Sequence, residues 1–199
     1  EALWGTRVSS GTVSKLNQKV YQHIERWRNQ ELEGEYAYVY LDGILLKRSW
    51  GGEIRNVSLL AAIGVDQDGY RRVLGVVEGH KEDKAGWLGF LKHLKQRGLT
   101  GVRLIISDAC LGLAEAAAEC YPEAAWQRCT VHFYRNVFSH VPRGKLREVA
   151  AMLKAIHAQE SRAAALAKAQ DVTDKLKAMK LGAAATLVAA VIAVVVVPS

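Results

Sequence analysis

Between residues 9 and 28, Val13, Leu16, Val20, Ile24 and Trp27 recur at intervals of three and four. That spacing places them on one stripe and predicts an amphipathic helix, with Ser9, Ser10 and Thr12 as candidate N-caps. The pattern then changes to β-rich runs at 37–47, closed by Trp50-Gly51-Gly52, and at 56–65. Asp66-Gln67-Asp68-Gly69 turns the second run into a third at 70–77, so an antiparallel meander is predicted. Trp87, Leu88, Phe90, Leu91 and Leu94 mark a helix ended by Arg97-Gly98.

Residues 102–107 form a near-continuous apolar strand, as expected for one buried on both faces. Residues 112–120 are Ala-rich and helical, stopped by Tyr121-Pro122, and 124–128 are a further short strand. From Phe133 the pattern is helical, with a break at Pro142-Arg143-Gly144 and a long Ala/Lys/Glu-rich stretch at 145–180. The order β-β-β-α-β-α-β-α predicts an α/β fold: a mixed five-stranded sheet with helices on both faces. In the ribonuclease H-like arrangement of such a sheet, the first strand lies centrally beside the fourth. An N-terminal helix and a C-terminal helical region complete the chain.

That order makes two aspartates informative. Asp42 follows Tyr38-Val39-Tyr40-Leu41, and Asp108 follows the strand at 102–107. A carboxylate at the end of a buried strand is costly unless it binds metal, pairs with a charge or caps a helix. Taken singly, Asp42 before Gly43 reads as a turn, and Asp108 as the cap of a helix beginning near Leu111. Taken together, the topology makes them neighbours and candidate ligands for Mg²⁺ or Mn²⁺. Two such ions, roughly 4 Å apart, activate a water or 3′-hydroxyl and stabilise the leaving oxygen of a phosphodiester. Asp66, Asp68 and Asp83 read as turn and loop residues, and His80 beside Lys81 as a loop residue.

Composition narrows the partners. The 199 residues suffice for one substantial domain plus an appendage, and an apolar fraction of 50% excludes a disordered chain. A net charge of +7 favours polyanions, nucleic acid first. Lys15, Lys19, Arg26 and Arg28 lie off the apolar stripe of the first helix. They read either as a solvated face over a core stripe or as part of a helix-turn-helix recognition helix, with Lys15 and Lys19 as DNA-binding candidates. Three cysteines, Cys110, Cys120 and Cys129, argue against a secreted disulfide framework. The chain opens at Glu1 with no basic-then-apolar leader, so a fragment of a cytoplasmic protein is expected.

Cys129-Thr130-Val131-His132 offers half of a zinc site, with Cys110 or Cys120 as possible partners, but no second well-spaced pair exists. The favoured expectation buries Cys129 at the end of the fifth strand and turns His132 toward the acidic pair and phosphate. Arg128, Tyr134 and Arg135 then supply phosphate donors and a stacking surface.

Residues 38–180 resemble bacterial insertion-sequence transposases of the Mutator family. The matching phrases are Val39-Tyr40-Leu41-Asp42-Gly43, Ala62-Ile63-Gly64-Val65, Gly69-Tyr70-Arg71-Arg72-Val73-Leu74-Gly75 and Ile106-Ser107-Asp108. The longest and most specific runs from Trp126-Gln127-Arg128-Cys129 through Thr130-Val131-His132 to Phe133-Tyr134-Arg135-Asn136. The resemblance implies a DDE triad on a ribonuclease H-like fold that cuts and joins element ends with divalent metal. Its first two acids fall on Asp42 and Asp108, and its C-x-x-H motif on Cys129 and His132, the latter in a supporting role. The glutamate is implied after an inserted helical region, near a phrase Asn-Ala-(Leu/Ile)-Glu that does not occur here; Glu148 and Glu160 do not match it.

The implied organisation is the end of a DNA-binding helical region (1–34), a catalytic core (35–140), the start of the inserted helical region (141–180) and an aberrant apolar tail (181–199). Residues 181–197 are 17 without a charge, just long enough to consider a membrane span. The likeness is expected to fade near Gly182, and a frameshifted, decayed or truncated reading frame rather than an anchor is expected there. The resulting expectation is a nucleoid-associated transposase, homo-oligomeric when complete, acting on terminal inverted repeats. This chain is expected to lack the third acid and to be inactive alone. The alternative is a non-catalytic DNA-binding fragment that interferes with an intact transposase.

Overall fold

The computed structural model describes residues 9–50, 52–79, 83–110 and 112–192. The expectations for Gly51, His80, Lys81, Leu111 and residues 193–199 lie outside these.

The first helix, α1 (Ser10–Asn29), begins where the Ser9 hydroxyl accepts the Thr12 backbone N–H. Its stripe does not cover a core: no α1 residue is buried, and Val13, Leu16, Val20 and Ile24 are 39–55% exposed. Periodicity shows which residues share a face, not that another element packs on it. The helix is fastened at its C-terminal end, by Arg97 at the close of α2 (Lys84–Gln96). The buried Arg97 guanidinium donates to the carbonyls of Leu74 (2.6 Å), Gln30 (2.7 Å) and Trp27 (3.2 Å). The Arg97 carbonyl in turn accepts the Leu32 N–H at 2.6 Å.

Five strands, β1 (Tyr38–Trp50), β2 (Glu53–Val65), β3 (Arg71–Gly79), β4 (Leu104–Ser107) and β5 (Ala125–Arg128), form one sheet in the order β3-β2-β1-β4-β5. The meander β1–β2–β3 is antiparallel, and β4 and β5 add in parallel beside β1. The expected mixed α/β sheet with its first strand beside its fourth is therefore present. β1 and β2 run beyond their apolar stretches because backbone pairing continues from Tyr38 opposite Val65 to Trp50 opposite Glu53. Main-chain hydrogen bonds extend the ladder regardless of side-chain polarity.

One sheet face carries the larger core. Val39, Leu41, Leu60, Ala62, Leu74 and Ile105 meet Trp87, Phe90, Leu91 and Leu94 of α2, together with Leu113, Ala116, Ala117 and Cys120 of α3 (Leu113–Cys120). A Cβ on Gly75 would stand 3.1 Å from both Phe90 and Leu94, so glycine there lets α2 approach β3. The opposite face differs from expectation. Tyr40, Ile63 and Val73 are register partners across β1, β2 and β3, yet they are 37%, 36% and 51% exposed. Strand order specifies neighbours within a sheet but not which faces are covered.

A second core joins α4 (Thr130–Phe138), α5 (Leu146–His157), α6 (Arg162–Ala178) and α7 (Gly182–Ile192). The stretch expected as one helical run at 145–180 is divided, with Ser161 capping α6 through the Ala164 N–H. The segment expected as an apolar tail supplies α7, whose Ala184, Ala185 and Val188 are buried in this core. Its uncharged composition is that of a helix packed on a small-residue face of α6, where Ala165 and Ala169 are buried. Among the described residues, no helix is long and apolar enough to cross a membrane.

Candidate active site

The site is built by strand register. Leu41 is paired with Ser107 at the last rung of β1–β4, and Ser107 with Arg128 at the last rung of β4–β5. The next residues along these three segments are Asp42, Asp108 and Cys129, so far-separated parts of the chain arrive at one level of the sheet. Asp42 is not at a strand end as expected: β1 continues past it, and Asp42 pairs with Ala61 of β2. That pairing removes the turn reading of Asp42-Gly43. The cap reading of Asp108 also fails, because Gly112 occupies the N-cap of α3 and Asp108 Oδ1 accepts the adjacent Ala109 N–H at 2.7 Å.

The end of β4 is pinned on its other side. The buried Ser107 hydroxyl accepts Trp126 Nε1–H and donates to the Asp108 carbonyl, both at 2.9 Å. The Cys129 N–H donates to the Ser107 carbonyl at 2.6 Å as the chain leaves β5 for α4. Three hydrogen bonds at this sheet end keep the Asp108 backbone in place.

Each aspartate faces one cationic or protonatable group from the β5–α4 junction. His132 Nε2 lies 4.0 Å from Asp42 Oδ1, and Arg128 Nε lies 3.7 Å from Asp108 Oδ1. The carboxylates are the open partners, with side chains 53% and 40% exposed, against 22% for His132 and 13% for Arg128. The Arg128 guanidinium sits 5.7 Å over the Phe133 ring. Among the described residues, Arg128 Nε and His132 Nδ1 are buried without a hydrogen-bond partner.

His132 thus approaches Asp42, and Asp42 and Asp108 follow the last paired residues of adjacent parallel strands, while other residues depart from expectation. Arg128 is enclosed beside Asp108 rather than presented as a phosphate donor. Tyr134 is partly buried and packs with Phe133, Phe138 and His157, ring centroids 5.6–5.9 Å apart. Burial there pushes the Tyr134 phenol up and the His157 imidazole down from their ordinary pKa values. Arg135 on α4 and Lys15 and Lys19 on α1 are exposed. Cys129 is partly exposed at the N-cap of α4 rather than buried, and Cys120 belongs to the sheet core. Among the described residues, no group of three or more His, Cys, Asp or Glu side chains is arranged to hold a metal, so the half zinc site finds no completing ligands.

The family model "Transposase, Mutator family" matches residues 1–197. The chain belongs to the Mutator family of transposases. The match continues past Gly182, where the likeness was expected to fade. Among curated relatives, the transposase for insertion sequence element ISRM5 of Rhizobium meliloti is 40% identical over 143 residues, 72% of this chain and 36% of that protein. The transposase for IS1081 of Mycobacterium tuberculosis is 36% identical over 177 residues, 88% of this chain and 43% of its own length. The transposase for IS256 in transposon Tn4001 of Staphylococcus aureus is 36% identical over 144 residues, 72% and 37% of the two chains. This Mutator-family chain therefore spans less than half the length of the curated relatives it matches.

Proposed function

We propose that the Asp42–Asp108 centre belongs to a DDE-type transposase core of ribonuclease H-like fold, cutting and joining DNA at the terminal inverted repeats of its element. The observation that supports this reading is the register Leu41–Ser107–Arg128, which puts two solvent-open carboxylates one residue past the last parallel rung of two adjacent strands. Two hard oxygen donors with access to water fit a hydrated Mg²⁺ or Mn²⁺, which is commonly held by one or two carboxylates plus substrate phosphate. When bound, the metal would polarise the phosphodiester and lower the pKa of an attacking hydroxyl or water. Asp42 and Asp108 hold it, while His132 orients Asp42. Lys15, Lys19 and Arg135 bind DNA phosphates by charge.

A third acid is required for strand transfer, and the family resemblance supplies no candidate for it in this chain. These residues alone bind divalent metal and DNA but do not transfer strands; a longer chain acts as a homo-oligomer, at the nucleoid. The exposed lysines of α1 also favour the second reading, a DNA-binding fragment that occupies element ends and interferes with an intact transposase.

Titration of the 199-residue protein with Mn²⁺, read from the free-ion paramagnetic resonance signal, tests the centre. Asp42→Asn and Asp108→Asn are each expected to weaken binding at least about tenfold, the loss of one charged ligand. Wild-type affinity in both variants refutes the metal reading, and robust Mg²⁺-dependent cleavage of terminal repeats by this chain alone refutes its inactivity.

A further inference from the structure

Resting on that metal reading, we infer that Arg128 is a positioning residue: an internal counter-ion that holds the Asp108 carboxylate until a divalent cation takes its place, and so sets the affinity of the centre. Three features separate this role from that of a DNA contact. The Arg128 side chain is only 13% exposed, so a duplex does not reach it in this arrangement. Its guanidinium lies over the ring of the buried Phe133, 5.7 Å from the centroid. Among the described residues, its ion-pair partner is Asp108 Oδ1, 3.7 Å from Nε.

The pairing is Coulombic and incomplete. At 3.7 Å, Arg128 Nε is outside hydrogen-bond range of Asp108 Oδ1, which already accepts the Ala109 N–H at 2.7 Å. Arg128 Nε–H is therefore a buried donor with no acceptor among the described residues. A pair satisfied by charge alone is strong enough to orient a carboxylate and weak enough to be displaced. A dication on Asp108 repels the guanidinium, so each weakens the hold of the other on the shared carboxylate, and the effect is reciprocal. On the second acid, His132 Nε2 lies 4.0 Å from Asp42 Oδ1.

The test measures Mn²⁺ affinity of the wild type, Arg128→Gln and Arg128→Lys by paramagnetic resonance, with unfolding midpoints as a check on folding. Removing one charge about 4 Å from the carboxylate at a partly exposed site is expected to tighten Mn²⁺ binding about tenfold in Arg128→Gln. Arg128→Lys, which keeps the charge, stays near the wild type. Unchanged or weaker binding in a folded Arg128→Gln overturns the inference. If Arg128→Gln does not fold, the wild type still decides: the Arg128 Nε–H resonance must shift along the Mg²⁺ binding isotherm, and a resonance indifferent to Mg²⁺ overturns it. Failure of the metal reading is distinguishable, because Asp108→Asn then binds Mn²⁺ as the wild type does.

Discussion

Replacing Arg97 by leucine removes the seat of α1 without touching the sheet's apolar contacts. The three carbonyls it serves are unequal. The bond to Leu74 O is buried, so its loss strands an acceptor away from water, at about 1–3 kcal/mol. Gln30 O is only partly buried and recovers some hydration, which reduces its share to about 1 kcal/mol. Trp27 O already accepts the Gln30 N–H at 3.3 Å, and adds little. Returning the guanidinium to water in the unfolded reference no longer matters in the variant, which offsets part of the sum. Burial does pull the Arg97 pKa below its ordinary value, in keeping with that desolvation. A net loss of about 2–3 kcal/mol is expected. Urea unfolding measures it, and hydrogen exchange locates it: protection should fall at Leu32, whose N–H bonds the Arg97 carbonyl, and through the C-terminal turn of α1. Arg97→Lys should rescue less than half, since one ammonium does not span three carbonyls from one point. A loss below about 0.5 kcal/mol with unchanged exchange at Leu32 would refute the reasoning.

Two further outcomes are expected. Arg72 Nε, 2.6 Å from Asp66 Oδ2, and the backbone N–H groups of Tyr70 and Asp68 hold the Asp66 carboxyl below its usual pKa. Its contribution to stability is thus complete above the unfolded value near pH 4 and is lost as pH falls through the lower folded value; unfolding midpoints of Asp66→Asn should show a shallower acid slope below pH 4, and an unaltered slope counts against the pairing. Val188→Asp places a charge in the core shared by α6 and α7, where Val188 is 1% exposed, and should cost more than about 3 kcal/mol with loss of helical circular dichroism. Stability equal to that of the wild type would mean that α7 is an appendage after all.

Local pattern and topology reached the sequence of elements because each run carries its own period: three and four in α1, β-rich runs punctuated by Asp66-Gln67-Asp68-Gly69, a continuous apolar stretch in β4. The placement of Asp42 and Asp108 on adjacent strands was legible for the same reason, since strand order follows from element order. Coverage was not legible. Val13, Leu16, Val20 and Ile24 look the same in a string whether or not another element lies against them, and so does the row Tyr40–Ile63–Val73. Nor was the enclosure of Arg128, which depends on Phe133 turning beneath it. The uncharged run after Leu181 misled because absence of charge marks a buried helix as well as an aberrant tail.

The exposed α1 also has a mechanical side. Twenty residues at the usual rise make a rod about 30 Å long, anchored at one end. Tilting such a rod by about 10° about the Arg97 seat sweeps its free end by about 5 Å, comparable to the spacing of successive phosphates along a strand. Lys15 and Lys19, nearer the free end, are thus aimed from the far end of the helix, and their position becomes a question of angular stiffness where Arg97 and His93 of the α2 end meet the carbonyls of Trp27, Arg28 and Gln30.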